Sequence, residues 1–249
     1  MKLTLIGYGF VGKAVTNVLG EYHEMKIVDP AYNDNKIEND SDGYIICVPT
    51  PQSPDGSCDT SIVEETIIHC PKDKPILIKS TISLEGWRNF HEYEKSLSFS
   101  PEFLIAATAL EDFKNQEYML FGGPDYKFWK DIFPFPIIEA SVEELIITKY
   151  VRNCFLATKV SLFNDIYKLC EKTNINYERV VSLTSMDRRI GSSHMQVPGP
   201  DGKMGFGGAC FPKDTKAFVH TGMHFRSPMT LLNEVVALNS LIRDEDESL

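Results

Sequence analysis

Short apolar runs recur through the first half of the chain, each separated from the next by a segment long enough to form a helix. Runs of this kind predict buried β-strands at residues 2–6, 25–28, 43–48, 75–80, 97–99 and 118–121. Strands that alternate with helices are typical of a parallel, doubly wound sheet with right-handed crossovers. Residues 1–140 are therefore predicted to form an α/β domain.

The second half shows helical periodicity instead of short apolar runs. One long helix is predicted over residues 142–172, with Ser141 as its N-cap and Glu144 completing a capping box. Its middle is apolar almost all round, so we expect it to be buried on several sides and to form a homodimer contact. Further helices are predicted at 176–184, 214–222 and 229–243. Residues 141–249 are thus expected to be an all-helical domain for dimerisation and catalysis.

A glycine motif follows the first predicted strand and opens a helix. It consists of Gly7, Tyr8, Gly9, Phe10, Val11 and Gly12. Glycines in such a loop allow a tight turn and a close approach of a pyrophosphate to a helix N-terminus. The second strand ends in Asp29, whose carboxylate suits ribose hydroxyls and would repel the extra phosphate of NADP. The pattern predicts a Rossmann-type NAD-binding domain, and the alternative is a glycine turn without a ligand.

Polar segments follow three of the predicted strands, at the end of the sheet where ligands bind in doubly wound folds. They are Pro49-Thr50-Pro51 (directly after Val48), Ser80-Thr81 and Ser100-Pro101-Glu102. Each segment alone could be a turn, since Pro, Ser and Thr are common in loops. Three at one edge, beside a dinucleotide loop, predict the wall of a site. The Glu102 carboxylate could orient a water molecule or serve as a general base.

A glycine-rich loop carries one cysteine in the second half of the chain. Its sequence is Gly205-Phe206-Gly207-Gly208-Ala209-Cys210-Phe211-Pro212-Lys213-Asp214. The glycines allow a ligand to approach the backbone closely, and a nearby lysine favours the thiolate, the form of cysteine that attacks carbonyl carbon. A free cysteine is more often a small buried hydrophobe, but the composition of this loop favours a reactive one.

Lys149 and Asn153 interrupt the apolar pattern of the long helix. They are one turn apart, so they project from the same face. Desolvation of a lysine shifts its pKa towards values useful in acid–base chemistry. The alternative is a lysine that extends its charged end to solvent.

Composition and charge narrow the function classes. The net charge of −10 argues against nucleic acid or an anionic membrane as a partner. The six cysteines form no C-x-x-C pair, and the six histidines form no metal-binding pattern, so neither disulfides nor a metal are predicted. The start of the chain runs directly into a strand, without a signal peptide. These features predict a cytoplasmic location.

The sequence is similar to the nucleotide-sugar dehydrogenases, the family of UDP-glucose and GDP-mannose dehydrogenases. Five features carry the resemblance: the glycine motif, Lys79-Ser80-Thr81, Ser100-Pro101-Glu102-Phe103-Leu104, the Lys149/Asn153 pair and the cysteine loop. They cover nearly the whole chain, and the cysteine loop is the most specific of them. The residues around the cysteine favour the family members that act on UDP-glucose.

The resemblance implies a four-electron oxidation of UDP-glucose to UDP-glucuronate with two NAD⁺. The intermediate aldehyde is captured by Cys210 as a thiohemiacetal, a second oxidation gives a thioester, and water releases the acid. By the same resemblance, Lys149 assists proton transfer and stabilises an oxyanion, with Asn153 beside it. Glu102 activates the hydrolytic water, and Asp214 helps through a bound water.

The resemblance also implies two sets of contacts. The cofactor contacts are Gly7, Gly9, Phe10, Val11, Gly12, Asp29, Val48, Pro49, Thr50, Ser80, Thr81 and Lys213, with Thr81 near the nicotinamide. The substrate contacts are Glu102, Phe103, Leu104, Lys149, Asn153, Arg189, Met204, Gly205, Phe206 and Gly207, within a loop that begins at Asp201.

Two departures from the family pattern leave alternatives open. Ala106 occupies the position of a usual second glutamate, and the chain stops at Leu249, without the family's C-terminal UDP-binding domain. The chain is therefore expected to be a truncation or a short natural form. One alternative function is an NAD-binding, dimerising module without turnover. Others are a dehydrogenase of another nucleotide sugar (GDP-mannose or UDP-N-acetylmannosamine) and a two-electron dehydrogenase of small 3-hydroxy acids, which leaves the cysteine loop unexplained.

Overall fold

A computed structural model describes residues 1–247, except for the side chains of residues 91 and 244–247. The chain divides into two compact units. The first unit comprises Met1–Ser53 and Cys58–Lys149, and the second comprises Pro54–Ser57 and Tyr150–Leu249. The predicted domains 1–140 and 141–249 remain a prediction, because one helix runs through the boundary of the two units.

The first unit is built from strands that alternate with helices. Its strands are β1 (Lys2–Ile6), β2 (Glu24–Val28), β3 (Gly43–Ile46), β4 (Ile76–Ile78), β5 (Leu97–Phe99), β6 (Met119–Phe121) and β7 (Ile137–Glu139). Its helices are α1 (Phe10–Leu19), α2 (Ser61–His69), α3 (Leu84–Phe90), α4 (Ala109–Lys114) and α5 (Tyr126–Ile132), with a 3-10 turn at His91–Tyr93.

The main sheet is parallel throughout, with the strand order β2-β1-β3-β4-β5. Because β1 pairs with both β2 and β3, the strand order reverses beside β1, which is the switch point where such sheets bind ligands. The predicted doubly wound parallel sheet is confirmed. Strands β6 and β7 form a separate parallel pair.

The apolar core of the first unit explains why these runs of residues form strands. Strand residues such as Leu3, Leu5 and Ile45 are fully buried and form one cluster with Trp129 and Phe121. Strands covered on both faces need nearly continuous apolar runs, as the sequence has. Fully burying side chains of this size contributes about 1.5–3 kcal/mol each to stability. The sheet is thereby a rigid base for the loops at its edge.

The second unit is helical within the described residues. Helix α6 (Val142–Thr173) enters it from the first unit, and α7 (Tyr177–Thr184), α8 (Phe211–His224) and α9 (Thr230–Glu247) follow. The predicted capping box is present: Ser141 Oγ accepts from the Glu144 amide at 3.2 Å, and the Glu144 carboxylate accepts from the Ser141 amide at 2.8 Å. The prediction of a helical second half is confirmed.

Helix α8 begins at Phe211, three residues before the predicted start at Asp214. Proline is tolerated in the first turn of a helix, where its missing N–H has no partner to lose. Pro212 therefore lies inside the helix, and Cys210 becomes its N-cap. The cysteine is thus held at a helix terminus and not in the middle of a loop.

Candidate active site

The glycine motif forms the turn between β1 and α1. Gly7 has φ +93°, and a Cβ there would lie 2.6 Å from the Cys47 carbonyl carbon. A Cβ on Gly12 would lie 2.1 Å from the Gly7 carbonyl oxygen. A Cβ on Gly9, the N-cap of α1, would meet no atom within 4 Å. The fold itself requires Gly7 and Gly12, whereas Gly9 leaves open space at a helix N-terminus.

Asp29 lies directly after β2 and faces this loop. Its carboxylate accepts from the Tyr8 amide at 2.6 Å and from the Ala31 amide at 2.8 Å. The acid is therefore held beside the glycine turn, where the ribose of a dinucleotide is expected. The open space at Gly9, the N-terminus of α1 and Asp29 together fit NAD.

Alanine at Gly9 and alanine at Gly12 are expected to have opposite effects. We predict that Gly9→Ala keeps a thermal midpoint within a few degrees of the parent but weakens NAD binding about tenfold or more, because the methyl group occupies ligand space. Gly12→Ala is expected to lower the midpoint, because its methyl group overlaps the backbone. Thermal unfolding and NAD titration check both variants. Equal destabilisation by the two substitutions would contradict this assignment.

The three polar segments lie at the carboxyl ends of β3, β4 and β5, as predicted. Ser80 Oγ donates to the Val48 carbonyl at 2.7 Å, which joins the first two segments. Thr50 is buried, Pro49 is exposed, and Thr81 is half-buried. These segments form one continuous edge beside the glycine loop.

Glu102 makes an ion pair that the sequence analysis missed. Its carboxylate contacts Lys79 Nζ, and the Lys79 side chain is 0% exposed. Lys79 also donates to Ser100 Oγ at 3.0 Å and lies 5.2 Å from the centre of the Phe133 ring. A buried lysine is costly unless it is paired, so the pair fixes the position of the carboxylate. The signal was the lysine directly before Ser80-Thr81, at a strand end that otherwise has an apolar pattern.

Lys149 approaches Glu102 from α6. Its Nζ donates to the main-chain carbonyl of Glu102 and lies 5.2 Å from the centre of the Phe103 ring. The Glu102 side chain and main chain are thus held by two different lysines. Leu104 packs against the core of the unit, and Ala106 is exposed. The first unit therefore brings together Lys149, Glu102 and Phe103 of the predicted substrate contacts.

Cys210 caps the N-terminus of α8 and is half-buried. The positive end of the α8 dipole therefore lies at this side chain. Four of the other cysteines are buried. Burial raises the pKa of Cys70 and Cys154 to about 12. In the second unit, Cys154 and Cys170 are buried and Cys210 is partly exposed, so Cys210 is the candidate nucleophile there.

Asp214 is the centre of a buried polar group one turn after Cys210. Its side chain is 1% exposed, and its amide donates to the Cys210 carbonyl at 2.8 Å. One carboxylate oxygen accepts from Asn153 Nδ2 at 2.6 Å, and the other contacts Lys213 Nζ at 2.6 Å. Asn153, Lys213 and Asp214 are therefore brought together beside the cysteine.

The predicted substrate loop is held by residues that the sequence analysis did not identify. The Gly205 amide donates to Asn164 Oδ1 of α6 at 2.9 Å. The Phe206 amide donates to Asn239 Oδ1 of α9 at 2.7 Å, and Asn239 Nδ2 donates back to the Phe206 carbonyl at 3.0 Å. The only signal for either asparagine was a polar residue at a buried helical position.

The remaining predicted contacts are less enclosed. The Arg189 side chain is 89% exposed and forms a close ion pair with Asp187, which lies two residues earlier. Met204 is half-buried at the edge of a small apolar cluster, and Gly207 is half-buried. The structure thus brings Gly205 and Phe206 into a buried network and leaves Arg189 at the surface.

Within the described residues, His, Cys, Asp and Glu side chains form no group of three suited to a metal ion.

The motifs and the fold are those of a family of nucleotide-sugar enzymes. Residues 31–132 match the model of the UDP-glucose/GDP-mannose dehydrogenase family, NAD binding domain, and residues 144–241 match that of its central domain. The chain belongs to the UDP-glucose/GDP-mannose dehydrogenase family. The prediction of NAD as cofactor is confirmed by the first of these matches.

Known relatives agree with this assignment. The chain is 28% identical to the UDP-glucose 6-dehydrogenase YwqF of Bacillus subtilis, over 96% of this chain and 66% of that protein. It spans about half the length of the UDP-glucose 6-dehydrogenases of several Rickettsia species. A UDP-glucose dehydrogenase structure from Pyrobaculum islandicum aligns with a TM-score of 0.83 and 26% identity, over 96% of this chain and 68% of that one.

A second class of enzyme shares the fold. The 3-hydroxyisobutyrate dehydrogenase of Mycobacterium tuberculosis aligns with all of this chain and 95% of its own, with a TM-score of 0.73. Its identity to this chain is only 16%, so the likeness concerns the fold alone. The plan of sheet and helices is therefore common to both classes.

No helix among the described residues combines the length and the apolar character that crossing a lipid bilayer requires.

Proposed function

We propose that this chain supplies the NAD-binding and catalytic residues for the oxidation of UDP-glucose to UDP-glucuronate. The observation that carries the proposal is Cys210 at the N-terminus of α8, one turn before the buried group of Asp214, Asn153 and Lys213. A two-electron dehydrogenase has no use for a covalent nucleophile in this position. Membership of the family and its UDP-glucose relatives support the choice of substrate.

Covalent capture by Cys210 explains why one protein can carry out both oxidation steps. The first step removes a hydride from C6 and a proton from its hydroxyl group, which gives an aldehyde. The Cys210 thiolate adds to the aldehyde carbon, and loss of a second hydride from that carbon gives a thioester. Water then attacks the thioester, which releases the carboxylate and restores the thiol. When bound, NAD⁺ accepts one hydride in each oxidation.

The residues of the second unit serve the covalent step. The N-terminus of α8 presents the positive end of its dipole to the negative charge that develops during this step. Asp214 orients the Asn153 side-chain amide, and that amide then donates to oxygen on the reacting carbon. Asp214 also neutralises Lys213, so the buried group as a whole carries little net charge.

The residues of the first unit serve proton transfer and hydrolysis. Lys149 takes the hydroxyl proton and stabilises the oxyanion that develops on the same oxygen. The Glu102 carboxylate, held in place by Lys79, orients the water that attacks the thioester. Thr81 follows the carboxyl end of β4, where it would contact the nicotinamide end of bound NAD.

The test of this proposal is an assay with purified chain, UDP-glucose and NAD⁺. We expect absorbance at 340 nm to rise by two NADH for each UDP-glucuronate formed. GDP-mannose and UDP-N-acetylmannosamine, supplied in the same way, test the choice of sugar. One NADH for each product, with an aldehyde or ketone as that product, would exclude the covalent mechanism.

A second candidate function is an NAD-binding module without turnover. Ala106, at the position of a family glutamate, is exposed and contributes no polar side chain. The chain also spans only part of the length of its relatives. Binding of NAD without any rise at 340 nm would favour this function over the first.

We further propose a homodimer that forms through α6. Five large apolar side chains of this helix are exposed: Ile147, Val151, Phe155, Leu162 and Leu169. Their spacing places them along one side of the helix, and an apolar stripe of this kind marks an interaction surface. Sedimentation should give twice the chain mass of 28.1 kDa, and Phe155→Glu should give the monomer. A monomeric parent chain would contradict the proposal.

A further inference from the structure

Two asparagines from different helices form hydrogen bonds with adjacent backbone groups of the predicted substrate loop. Asn164 of α6 is 1% exposed, and Asn239 of α9 is 8% exposed. Asn239 binds both the amide and the carbonyl of Phe206, while Asn164 accepts from the neighbouring Gly205 amide. Three buried backbone groups of the loop thus depend on two side chains, which we call the asparagine clamp.

Two glycines of the loop lie in close contact with α9. Gly205 has φ +71°, and a Cβ there would lie 2.5 Å from Asn239 Oδ1. A Cβ on Gly207 would lie 2.5 Å from a guanidinium nitrogen of Arg243 in α9. Arg243 also forms an ion pair with Asp201, at the start of the loop, at 2.9 Å. The loop therefore packs closely against α9 at Gly205 and Gly207.

The segment that follows the clamp is different. A Cβ on Gly208 would meet no atom within 4 Å, and Gly208 is exposed with φ +74°. Cys210 comes two residues later and caps α8. The clamp thus fixes the chain on one side of the exposed turn, and α8 fixes it on the other.

We propose that Asn164 and Asn239 are positioning residues that hold the 201–207 loop in the shape that binds the sugar nucleotide. This inference rests on the proposed function, because it takes the loop to be the substrate contact. The asparagines bind only backbone, so they act through the loop and not on the substrate itself. Their removal should weaken substrate binding equally before and in the transition state, which raises KM and leaves kcat nearly unchanged.

The first experiment compares Asn239→Leu with Asn233→Leu, a matched substitution at an exposed position of the same helix. We expect Asn239→Leu to raise the KM for UDP-glucose about tenfold while the KM for NAD and kcat change less than twofold. Asn233→Leu should match the parent chain. Loss of active protein through misfolding would instead lower the apparent kcat and leave KM unchanged, and that result would overturn the proposal.

The second experiment uses Asn164, where a conservative variant retains the contact. Asn164→Asp keeps an oxygen that accepts from the Gly205 amide, whereas Asn164→Leu does not. We expect Asn164→Leu to raise the KM for UDP-glucose and Asn164→Asp to restore it to within about threefold of the parent. Equal KM values for the two variants would overturn the role of the hydrogen bond.

A third measurement separates this inference from the proposed function. Lys203 lies within the clamped loop and offers a trypsin site that can be followed without substrate. If the parent chain does not oxidise UDP-glucose, the proposed function fails, but the clamp is still tested. Faster cleavage after Lys203 in Asn239→Leu than in Asn233→Leu supports the clamp, and equal cleavage rates overturn it.

Discussion

Cys210→Ser is expected to abolish UDP-glucuronate formation, with a fall of roughly a thousandfold or more in the rate of acid production. A serine hydroxyl is a far weaker nucleophile than a cysteine thiol near neutral pH, because an alcohol ionises far less readily than a thiol. The substitution changes one atom at a half-buried position, so the fold should be unaffected. Mass spectrometry of the protein and assay of the acid measure the result.

The number of NADH molecules formed per substrate tests the role of Cys210 more directly than the rate of acid formation does. If Cys210 acts after the first oxidation, Cys210→Ser should still form one NADH for each bound substrate and then stop at the level of the aldehyde. Cys170→Ser is the matched control, because Cys170 is a buried cysteine in the same helical unit. The control should retain most of its activity. Normal acid formation by Cys210→Ser would remove the covalent step from the proposal.

The sheet and the long helices could be predicted because each has a pattern of apolar residues along the sequence. The same residues are buried by tertiary contacts in the folded chain. Leu3, Leu5 and Ile45 are apolar and fully buried, so their run predicts a central strand without knowledge of its neighbours. Strand β7 was missed because Ile137–Glu139 is only three residues long and directly follows Pro134 and Pro136, which argue against a strand.

The candidate site was only partly predictable. Cys210, Asp214 and the glycine motif stand out because their residue types at that spacing serve a ligand or a reaction. Asn164 and Asn239 did not stand out, and Lys79 did so only as part of a motif, without its ion pair. Each occupies an ordinary position in a strand end or helix and gains its role from a partner far along the chain. Contacts of this kind depend on how the chain folds. The spacing of residues along the sequence does not reveal them.

Asp214 has contacts that the sequence alone does not give. The resemblance implies a role for Asp214 through a bound water and a contact of Lys213 with the cofactor, and both roles stay predictions. The structure adds that the Asp214 carboxylate contacts Asn153 and Lys213 directly. A buried carboxylate with two polar or charge-assisted partners is a rigid support that orients the Asn153 side chain.

Lys149→Met is the other substitution with a large expected effect, a fall of about 100- to 1,000-fold in kcat with little change in the affinity for NAD. Methionine keeps the length and the apolar stem of the side chain but removes the amino group, which accepts the proton as a neutral amine and then stabilises the oxyanion as an ammonium. The variant therefore loses both the acceptor of the hydroxyl proton and the donor to the developing oxyanion. Because the charge acts mainly on the transition state, kcat and kcat/KM should fall together.

The control for Lys149→Met is Lys172→Met, an exposed lysine near the end of the same helix. It should match the parent chain, since an exposed lysine contributes little to stability or reaction.

Lys149 also donates to the Glu102 carbonyl, so a purely structural role is the competing explanation. Lys149→Arg separates the two: arginine can still donate to that carbonyl but cannot release its proton at neutral pH. Recovery of full kcat by Lys149→Arg would show that Lys149 only holds Glu102 in place, whereas a kcat as low as that of Lys149→Met would assign it to proton transfer.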